Sequence, residues 1–234
     1  MSLENPEQQE YSDAERILRL EAEVKQLRAE NKQLQEAATM DQLTNLLNRR
    51  GLGAAAKDLF ARRMRNRENG EQRKPVGVLA LDIDEFKIIN DAFMEGHTGG
   101  DRVLQKAADF LKDTVRGSDI VARTGGEEFV IIFNNANAQD IYNKFFDNGE
   151  GHPRLGFITE LDGEKIPINF SGGISMFGPD ETVDDLDIVI SRADVALYAA
   201  KEDEKTNDGI VRGRDRILIY SEEMAGAEKR KRAE

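Results

Sequence analysis

The fold of this chain depends on one stretch, Pro75-Val76-Gly77-Val78-Leu79-Ala80-Leu81-Asp82-Ile83-Asp84. Its residues from Val76 to Leu81 are apolar without interruption, which predicts a strand over 76–82 that is buried on both faces. Two aspartates end this strand, so Asp82 and Asp84 are expected at the edge of a sheet, next to solvent. A lone Asp-x-Asp is also typical of an acidic turn that merely stops a strand.

A second acidic pair lies further along the chain, in a predicted hairpin. Residues 119–123 and 128–133 have strand patterns around Thr124-Gly125-Gly126-Glu127, and we expect the glycines to supply the positive-φ conformations of a tight turn. Glu127 lies in the turn and Glu128 begins the outgoing strand, so their side chains are expected on opposite faces. Only one of them is then expected to face the first strand.

Carboxylates from these two stretches are expected to converge. If the hairpin lies beside the first strand, Asp82 and Glu127 approach each other. Two carboxylates with a backbone carbonyl suit Mg²⁺, which takes oxygen ligands and shares them with substrate phosphates. Zinc is not expected, because the chain has no cysteine and because His97 and His152 are too isolated to form a zinc cage.

Between the acidic pairs lie groups suited to nucleotides. Glycines in Gly96-His97-Thr98-Gly99-Gly100-Asp101 precede a predicted helix and let backbone N–H groups approach an anion. Asn90 offers a donor and an acceptor, and Asp101 can accept hydrogen bonds from guanine. Each element alone is more typical of a helix cap than of a binding site.

The other predicted elements place this stretch in a mixed fold. Helices are predicted near 43–66, 100–115, 138–147 and 184–202, and strands near 154–161, 165–177 and 216–220. Strands and helices alternate without a regular βαβ repeat. We therefore expect an α/β (α+β) fold in which helices cover a largely antiparallel sheet.

A heptad repeat precedes this domain. One seam position holds Ile17, Val24, Asn31 and Ala38, and the other holds Leu20, Leu27 and Leu34. Branched residues at the first position and leucine at the second favour a parallel two-stranded coiled coil. The alternative is a single amphipathic helix docked on its own domain. We expect Ser12 to cap this helix.

These patterns divide the chain into four predicted segments. They are a disordered lead over 1–11, a coiled-coil dimerisation helix over 12–39, a catalytic domain over 40–222, and a charged tail over 223–234.

Composition excludes several classes of protein. The chain has 234 residues and a formal net charge of −12, which argues against a general nucleic-acid binder because such proteins need a basic face. The absence of cysteine excludes disulfides and thiolate nucleophiles. The chain contains no apolar run of about 18 residues, so no membrane span is predicted. We expect a cytoplasmic protein.

Taken together, the motifs resemble the GGDEF family of diguanylate cyclases. The matching stretches are 41–50 (DQLTNLLNRR), 82–91 (DIDEFKIIND), 96–101 (GHTGGD), 125–129 (GGEEF) and 192–201 (RADVALYAAK). The stretch at 125–129 is the GGEEF form of the family signature. The resemblance implies a five-stranded sheet wrapped by helices, and an enzyme that condenses two GTP molecules into cyclic di-GMP with release of pyrophosphate.

The resemblance also implies a metal centre and a dimer. Asp82, the Ile83 carbonyl and Glu127 would hold Mg²⁺, with Mn²⁺ as an alternative. Glu127 would also be the general base for the 3′-hydroxyl, and Lys87 would stabilise charge in the transition state. Each subunit of a homodimer would hold one GTP, and each 3′-hydroxyl would attack the α-phosphate held by the other subunit.

Substrate contacts are implied residue by residue. Asn90 and Asp101 would recognise guanine, and His97 would contact the nucleotide. Lys201 would bind the β- and γ-phosphates, with Lys205 replacing the charge of an arginine that the family usually has there. Arg116-Gly117-Ser118-Asp119 resembles the inhibitory product site, in which Arg116 and Asp119 would bind cyclic di-GMP.

Two departures from the family pattern lie near the nucleotide. Met94-Glu95 resembles a two-residue insertion before Gly96, and Glu204-Lys205-Thr206 stands where the family usually has Gly-Arg-Asn. An alternative hypothesis is a catalytically silent cyclic di-GMP receptor that signals through its coiled coil. The intact acidic signature disfavours that reading, and Asp101 disfavours a cyclase with relaxed base choice.

Overall fold

The structure is a computed structural model that describes residues 6–70, 72–93, 98–146, 156–161, 163–202, 204–206, 209–211 and 216–231. Its helices are α1 Pro6–Thr39, α2 Arg49–Glu68, α3 Phe86–Ala92, α4 Thr98–Thr114, α5 Ala138–Phe146, α6 Leu186–Lys201 and α7 Glu222–Lys231. Its strands are β1 Val76–Ile83, β2 Ile120–Arg123, β3 Glu128–Asn134, β4 Gly156–Leu161, β5 Glu164–Met176, β6 Glu204–Thr206, β7 Gly209–Val211 and β8 Ile217–Ile219.

An antiparallel sheet forms the centre of the fold. Its strand order is β2-β3-β1-β5-β4, and the short β8 pairs with β5 in parallel as a sixth strand. The predicted five-stranded, mainly antiparallel sheet is therefore confirmed. The pair β6–β7 forms a separate two-stranded sheet, which the sequence patterns did not predict.

β1 lies in the middle of the sheet and is buried along its whole length. Its odd-numbered residues, such as Leu79 and Leu81, pack with α4 and α5, whereas Val78 and Ala80 pack with α2 and α6. Alternate side chains of a strand point to opposite faces, so a strand covered on both sides must be apolar throughout. Each fully buried aliphatic side chain contributes roughly 1.5–3 kcal/mol to folding.

α6 approaches the sheet closely at one glycine of β5. A Cβ atom on Gly173 would lie only 2.0 Å from the Ala193 carbonyl oxygen and 2.3 Å from the Leu197 nitrogen. Glycine is required here because backbone meets backbone, and the contact fixes the position of α6 and of Lys201 at its end.

The predicted helix over 43–66 begins later than expected. α2 starts at Arg49, and Asn48 is its N-cap, with its side-chain oxygen accepting from the Gly51 N–H at 3.0 Å. The apolar residues before it pack into the core from a turn segment, in which Asn45 is left-handed and Leu46 is 2% exposed. Tertiary packing and the Asn48 cap therefore outweigh the helical spacing of the leucines.

α1 also begins earlier than predicted, at Pro6 rather than at Ser12. Proline is well suited to the first turn of a helix, and the residues that follow it include no helix breaker. The lead predicted to be disordered is thus helical from Pro6. At the other end, α7 occupies most of the segment predicted to be a charged tail.

The heptad seam of α1 is exposed to solvent in the single chain. Its large apolar residues range from 43% exposure at Val24 to 64% at Leu34, whereas Ala38 at its end is half-buried. None of the helices in the described part of the chain combines the length and the apolarity needed to cross a bilayer.

Candidate functional site

The hairpin of β2 and β3 lies beside the end of β1, as predicted. Asp82 is the cross-strand partner of Glu128, and the Ile83 N–H donates to the Glu127 carbonyl at 3.3 Å. This register brings the acidic end of the buried strand against the acidic turn of the hairpin. Asp82 and Glu127 therefore converge, although they are about 45 residues apart in sequence.

Electrostatics at Asp82 reflect a crowded acidic site. Burial raises the pKa of the Asp82 carboxyl above its ordinary value, Lys201 opposes this, and the charges of Glu127 and Glu128 raise the pKa further. The Lys201 ammonium forms an ion pair with Oδ1 of Asp82. Glu128 is the direct cross-strand partner of Asp82, and Glu127 lies in the adjoining turn, where strand alternation no longer applies. The expectation that only one of the two glutamates faces Asp82 stays a prediction.

The residues present at this edge fit a magnesium ion. Oδ1 of Asp82 is buried, and among the described residues it lies against the Lys201 ammonium. Within the described ranges, no group of three acidic or histidine side chains is arranged to hold a metal alone. A hard cation that takes two carboxylates, a main-chain carbonyl and substrate oxygens suits such a site.

Asp84 has a different environment from Asp82. Its carboxylate accepts from the Ser171 hydroxyl at 2.8 Å, and its N–H donates to the Asn169 carbonyl at 2.9 Å. These contacts fasten the end of β1 to β5. Glu85, the residue after Asp84, has a left-handed backbone conformation with φ 56°, which is uncommon for residues other than glycine. Ser171 was missed, since a serine inside an apolar strand carries no signal of its partner.

The two residues predicted to recognise guanine, Asn90 and Asp101, lie on neighbouring helices. A Cβ on Gly100 would lie 2.2 Å from Oδ1 of Asn90, so α3 and the first turn of α4 are in close contact. Asp101 follows directly and is exposed. Lys87 is exposed on α3.

Two predicted substrate residues are not described at side-chain level. His97, together with the Met94-Glu95 insertion, lies outside the described residues. Lys205 lies in β6, where its backbone pairs with Ile210. Their roles stay predictions.

The signature turn is built differently from expectation. Neither Gly125 nor Gly126 has positive φ. A Cβ on Gly125 would instead lie 2.1 Å from Oε2 of Glu128, so the glycine makes room for that carboxylate. The prediction of positive-φ glycines was wrong, because Thr124 N–H closes the turn onto the Glu128 carbonyl at 3.0 Å without a left-handed residue.

Arg123 is a second residue that the sequence patterns missed. Its guanidinium contacts both Asp41 and the Gly126 carbonyl inside the signature turn. Asp41 belongs to the motif at 41–50, but nothing in the spacing indicated that it pairs with a residue more than eighty positions later.

The predicted product site lies at the other end of β2. The Asp119 carboxylate accepts two hydrogen bonds, one from the Arg116 N–H of the same turn at 3.0 Å and one from the Asn134 N–H at 3.1 Å. Arg116 is exposed, and its guanidinium makes no ion pair with a residue in the described ranges. The carboxylate therefore has a structural role, and the arginine faces solvent.

Comparisons with known proteins agree with this geometry. The family described as "Diguanylate cyclase, GGDEF domain" matches residues 38–207. Diguanylate cyclase DosC of Escherichia coli K12 is 34% identical over 181 residues, which cover 77% of this chain and 35% of DosC. Diguanylate cyclase A of Treponema denticola is 30% identical over 201 residues, covering 84% of this chain and 48% of that protein. The chain thus spans about a third to a half of the length of these relatives.

Solved structures show the same fold. The coiled coil and GGDEF domain of DgcB from Caulobacter crescentus, in complex with c-di-GMP, is similar with a TM-score of 0.66 and 28% identity, covering 89% of this chain and 99% of that one. The active GGEEF domain of a diguanylate cyclase from Vibrio cholerae gives 0.56 and 31%, covering 75% and 98%. On the family match, the identities and the fold, the chain belongs to the GGDEF family of diguanylate cyclases.

Proposed function

We propose that this chain condenses two GTP molecules into cyclic di-GMP and two pyrophosphates. The observation that carries the proposal is the convergence of Asp82 and Glu127 at the sheet edge, beside the Lys201 ammonium. Two carboxylates beside a cation support the assignment of a metal-bound triphosphate to this site. Family membership supports the same reaction.

In the proposed reaction, Asp82, Glu127 and the Ile83 carbonyl hold Mg²⁺ or Mn²⁺. The metal supplies charge neutralisation for the triphosphate. Glu127 accepts the proton of the attacking 3′-hydroxyl, whose oxygen bonds to the α-phosphorus of the other GTP as the bond to the β-phosphate oxygen breaks. Lys87 and Lys201 offset the charge that develops on the phosphates, with Lys205 as a further cation.

Guanine recognition is assigned to α3 and α4. Asn90 contacts α4 at Gly100, the residue before Asp101, and this contact supports the assignment of an amide and a carboxylate to one base. We assign His97 to the same nucleotide. This arrangement favours GTP over ATP, because adenine lacks the ring N–H and the amine that a carboxylate binds in guanine.

The activity test is a product assay. Purified protein with GTP and Mg²⁺ is expected to yield cyclic di-GMP, Glu127→Gln is expected to lose at least about 100-fold in rate, and chelation of the metal is expected to stop turnover. Glu223→Gln, on exposed α7, is the matched control and should retain the wild-type rate. Absence of product from wild-type protein at micromolar concentration would refute the proposal.

The active form is proposed to be a homodimer joined through α1. The exposed heptad seam of α1 supports this, since pairing would cover side chains such as Leu20 and Leu27, which are 52% and 55% exposed. Replacing both with lysine should shift the protein to monomer in sedimentation and lower specific activity at dilute protein. Leu18→Lys is the control, because Leu18 is 67% exposed but lies off the seam.

Product inhibition is proposed to act through Arg116 and Asp119. The solvent-facing Arg116 guanidinium supports this, because it can bind phosphate or stack on guanine. Arg116→Ala should raise the cyclic di-GMP concentration that halves the rate by about 10-fold or more. Arg62→Ala, an exposed arginine on α2, should not. Cyclic di-GMP binding without turnover of GTP would instead identify the silent receptor.

A further inference from the structure

Arg123 occupies the base of the signature turn and makes contacts in two directions. It is the last residue of β2, and its side chain is only 13% exposed. Nη1 donates to both carboxylate oxygens of Asp41, at 3.0 and 3.2 Å. Nε and Nη2 both donate to the Gly126 carbonyl, at 3.0 and 2.7 Å. One guanidinium therefore joins the segment after α1 to the turn that carries Glu127.

Arg123 supplies the side-chain hydrogen bonds at the tip of the turn, beside the backbone bond that closes it. Gly125 and Gly126 have no side chains to pack, and glycine has the largest conformational freedom of any residue. The Gly126 carbonyl is held by Arg123, and the next carbonyl, that of Glu127, is held by the Ile83 N–H at 3.3 Å. The backbone on both sides of the Glu127 Cα is thereby fixed relative to the end of β1.

Asp41 is itself fixed, so it can hold Arg123 in one orientation. Its Oδ1 accepts from the Thr44 N–H at 2.9 Å and from the Thr44 hydroxyl at 2.6 Å. Burial raises the pKa of Asp41, but the bonds from Thr44 and the charge of Arg123 outweigh it, and the pKa lies below its ordinary value. The carboxylate is therefore ionised at neutral pH and pairs with the guanidinium.

The same segment is tied to the end of α1. The Asn48 side-chain amide donates to the Ala38 and Met40 carbonyls at 3.0 and 3.2 Å, and the Arg123 N–H donates to the Leu47 carbonyl at 2.8 Å. A continuous set of hydrogen bonds thus runs from the last turn of α1, through residues 40–48, to Arg123 and the signature turn.

We propose that Arg123 is a positioning residue that sets Glu127 against Asp82, and that Asp41 couples this position to the end of α1. The proposal rests on the proposed cyclase function only in its kinetic consequence. Because a misplacement of about 1 Å can cost about 100-fold in rate, loosening this turn should lower kcat without changing how guanine is recognised on α3 and α4.

Arg123→Lys is the informative variant. Lysine keeps the positive charge but cannot reach Asp41 and the Gly126 carbonyl together, because it lacks the planar fork. We expect kcat to fall about 10- to 100-fold, KM for GTP to stay within about threefold, and the Mg²⁺ concentration for half-maximal rate to rise about 10-fold. Arg50→Lys, an exposed arginine on α2, is the matched control.

Hydrogen exchange supplies a readout that does not depend on activity. Amides of the peptide over 124–128 should exchange at least about 10-fold faster in Arg123→Lys and in Asp41→Asn than in wild type or Arg50→Lys. The double variant should exchange and turn over much like either single variant, because both changes break one linked set of bonds.

The outcomes separate the two proposals. Unchanged exchange in Arg123→Lys would overturn the positioning role whether or not the protein makes cyclic di-GMP. Faster exchange with unchanged kcat in an active enzyme would also overturn it, since the contact would then be only structural. If the wild type makes no cyclic di-GMP, the cyclase proposal fails, and exchange alone decides whether Arg123 orders the turn.

Discussion

Gly173 should be the least replaceable glycine of the sheet. In Gly173→Ala, the new Cβ would lie 2.0 Å from the Ala193 carbonyl oxygen and 2.3 Å from the Leu197 nitrogen, both of them backbone atoms of α6. Ordinary contacts begin near 3.4 Å, so α6 must move from β5 by about 1.4 Å. No rotamer change can relieve a clash between backbone and Cβ.

This displacement carries a large free-energy cost. α6 buries Val189, Ala193 and Ala196 completely against the sheet, and a gap of about 1 Å forfeits a quarter to a half of each lining contact. Overpacking usually costs about 1–3 kcal/mol when side chains can adjust. Since none can here, we expect a loss of about 3–5 kcal/mol in the free energy of unfolding.

The adjacent glycine provides the control. A Cβ on Gly172 would meet only the ends of side chains, Leu81 at 3.0 Å, Leu79 at 3.1 Å and Ile217 at 3.3 Å. These can shift by a few tenths of an ångström, so Gly172→Ala should change stability by less than about 1 kcal/mol. Urea unfolding followed by circular dichroism measures both, and Gly173→Ala should lower the midpoint by about 1–2 M. Equal midpoints for the two variants would refute the close-packing explanation.

Three further changes test other contacts. Gly53→Ala on α2 should raise the free energy of unfolding by about 0.5–1 kcal/mol, because no atom lies near the new Cβ. Gly51→Ala should lower it, because the new Cβ would lie 2.1 Å from the Thr39 carbonyl oxygen at the end of α1. Melting temperatures that move in the same direction for both variants would contradict this explanation. Asp41→Asn should cost about 1–3 kcal/mol at pH 7, where the carboxylate is ionised in both states. Because the folded-state pKa of Asp41 is lowered, this difference should begin to shrink below the ordinary pKa of aspartate and should be lost as pH falls through the folded-state pKa; a pH-independent difference in urea titrations would disprove it. Ser171→Ala should cost about 1–2 kcal/mol, because it removes the hydroxyl that donates to buried Asp84, and an unchanged urea midpoint would show that this bond contributes nothing.

Sequence patterns were informative where one local property decides the structure. The uninterrupted apolar run of β1 is typical of a strand covered on both faces, and the turn residues of the hairpin predicted that Glu127 lies near Asp82. The patterns failed where long-range packing decides. The leucines before Asn48 have helical spacing but serve as core contacts of a turn.

Partners of individual polar groups were also beyond the sequence. Arg123 and Ser171 are ordinary residues in their strands, and only the tertiary structure reveals that they contact Asp41 and Asp84. The signature glutamates show the same limit. Strand alternation predicts the face of Glu128, which lies opposite Asp82, but it stops at the strand end and does not predict the direction of the Glu127 side chain.

The central position of β1 has a consequence for how the chain folds during synthesis. Both neighbours of β1 are distant in sequence, with Asp82 paired to Glu128 on one side and to Ser171 on the other. An apolar strand must therefore wait for about 90 further residues before its second edge is closed, and such non-local pairing slows folding. Until then β1 offers an open edge to other chains, so we expect aggregation from stalled nascent chains to depend on whether the ribosome has passed β5.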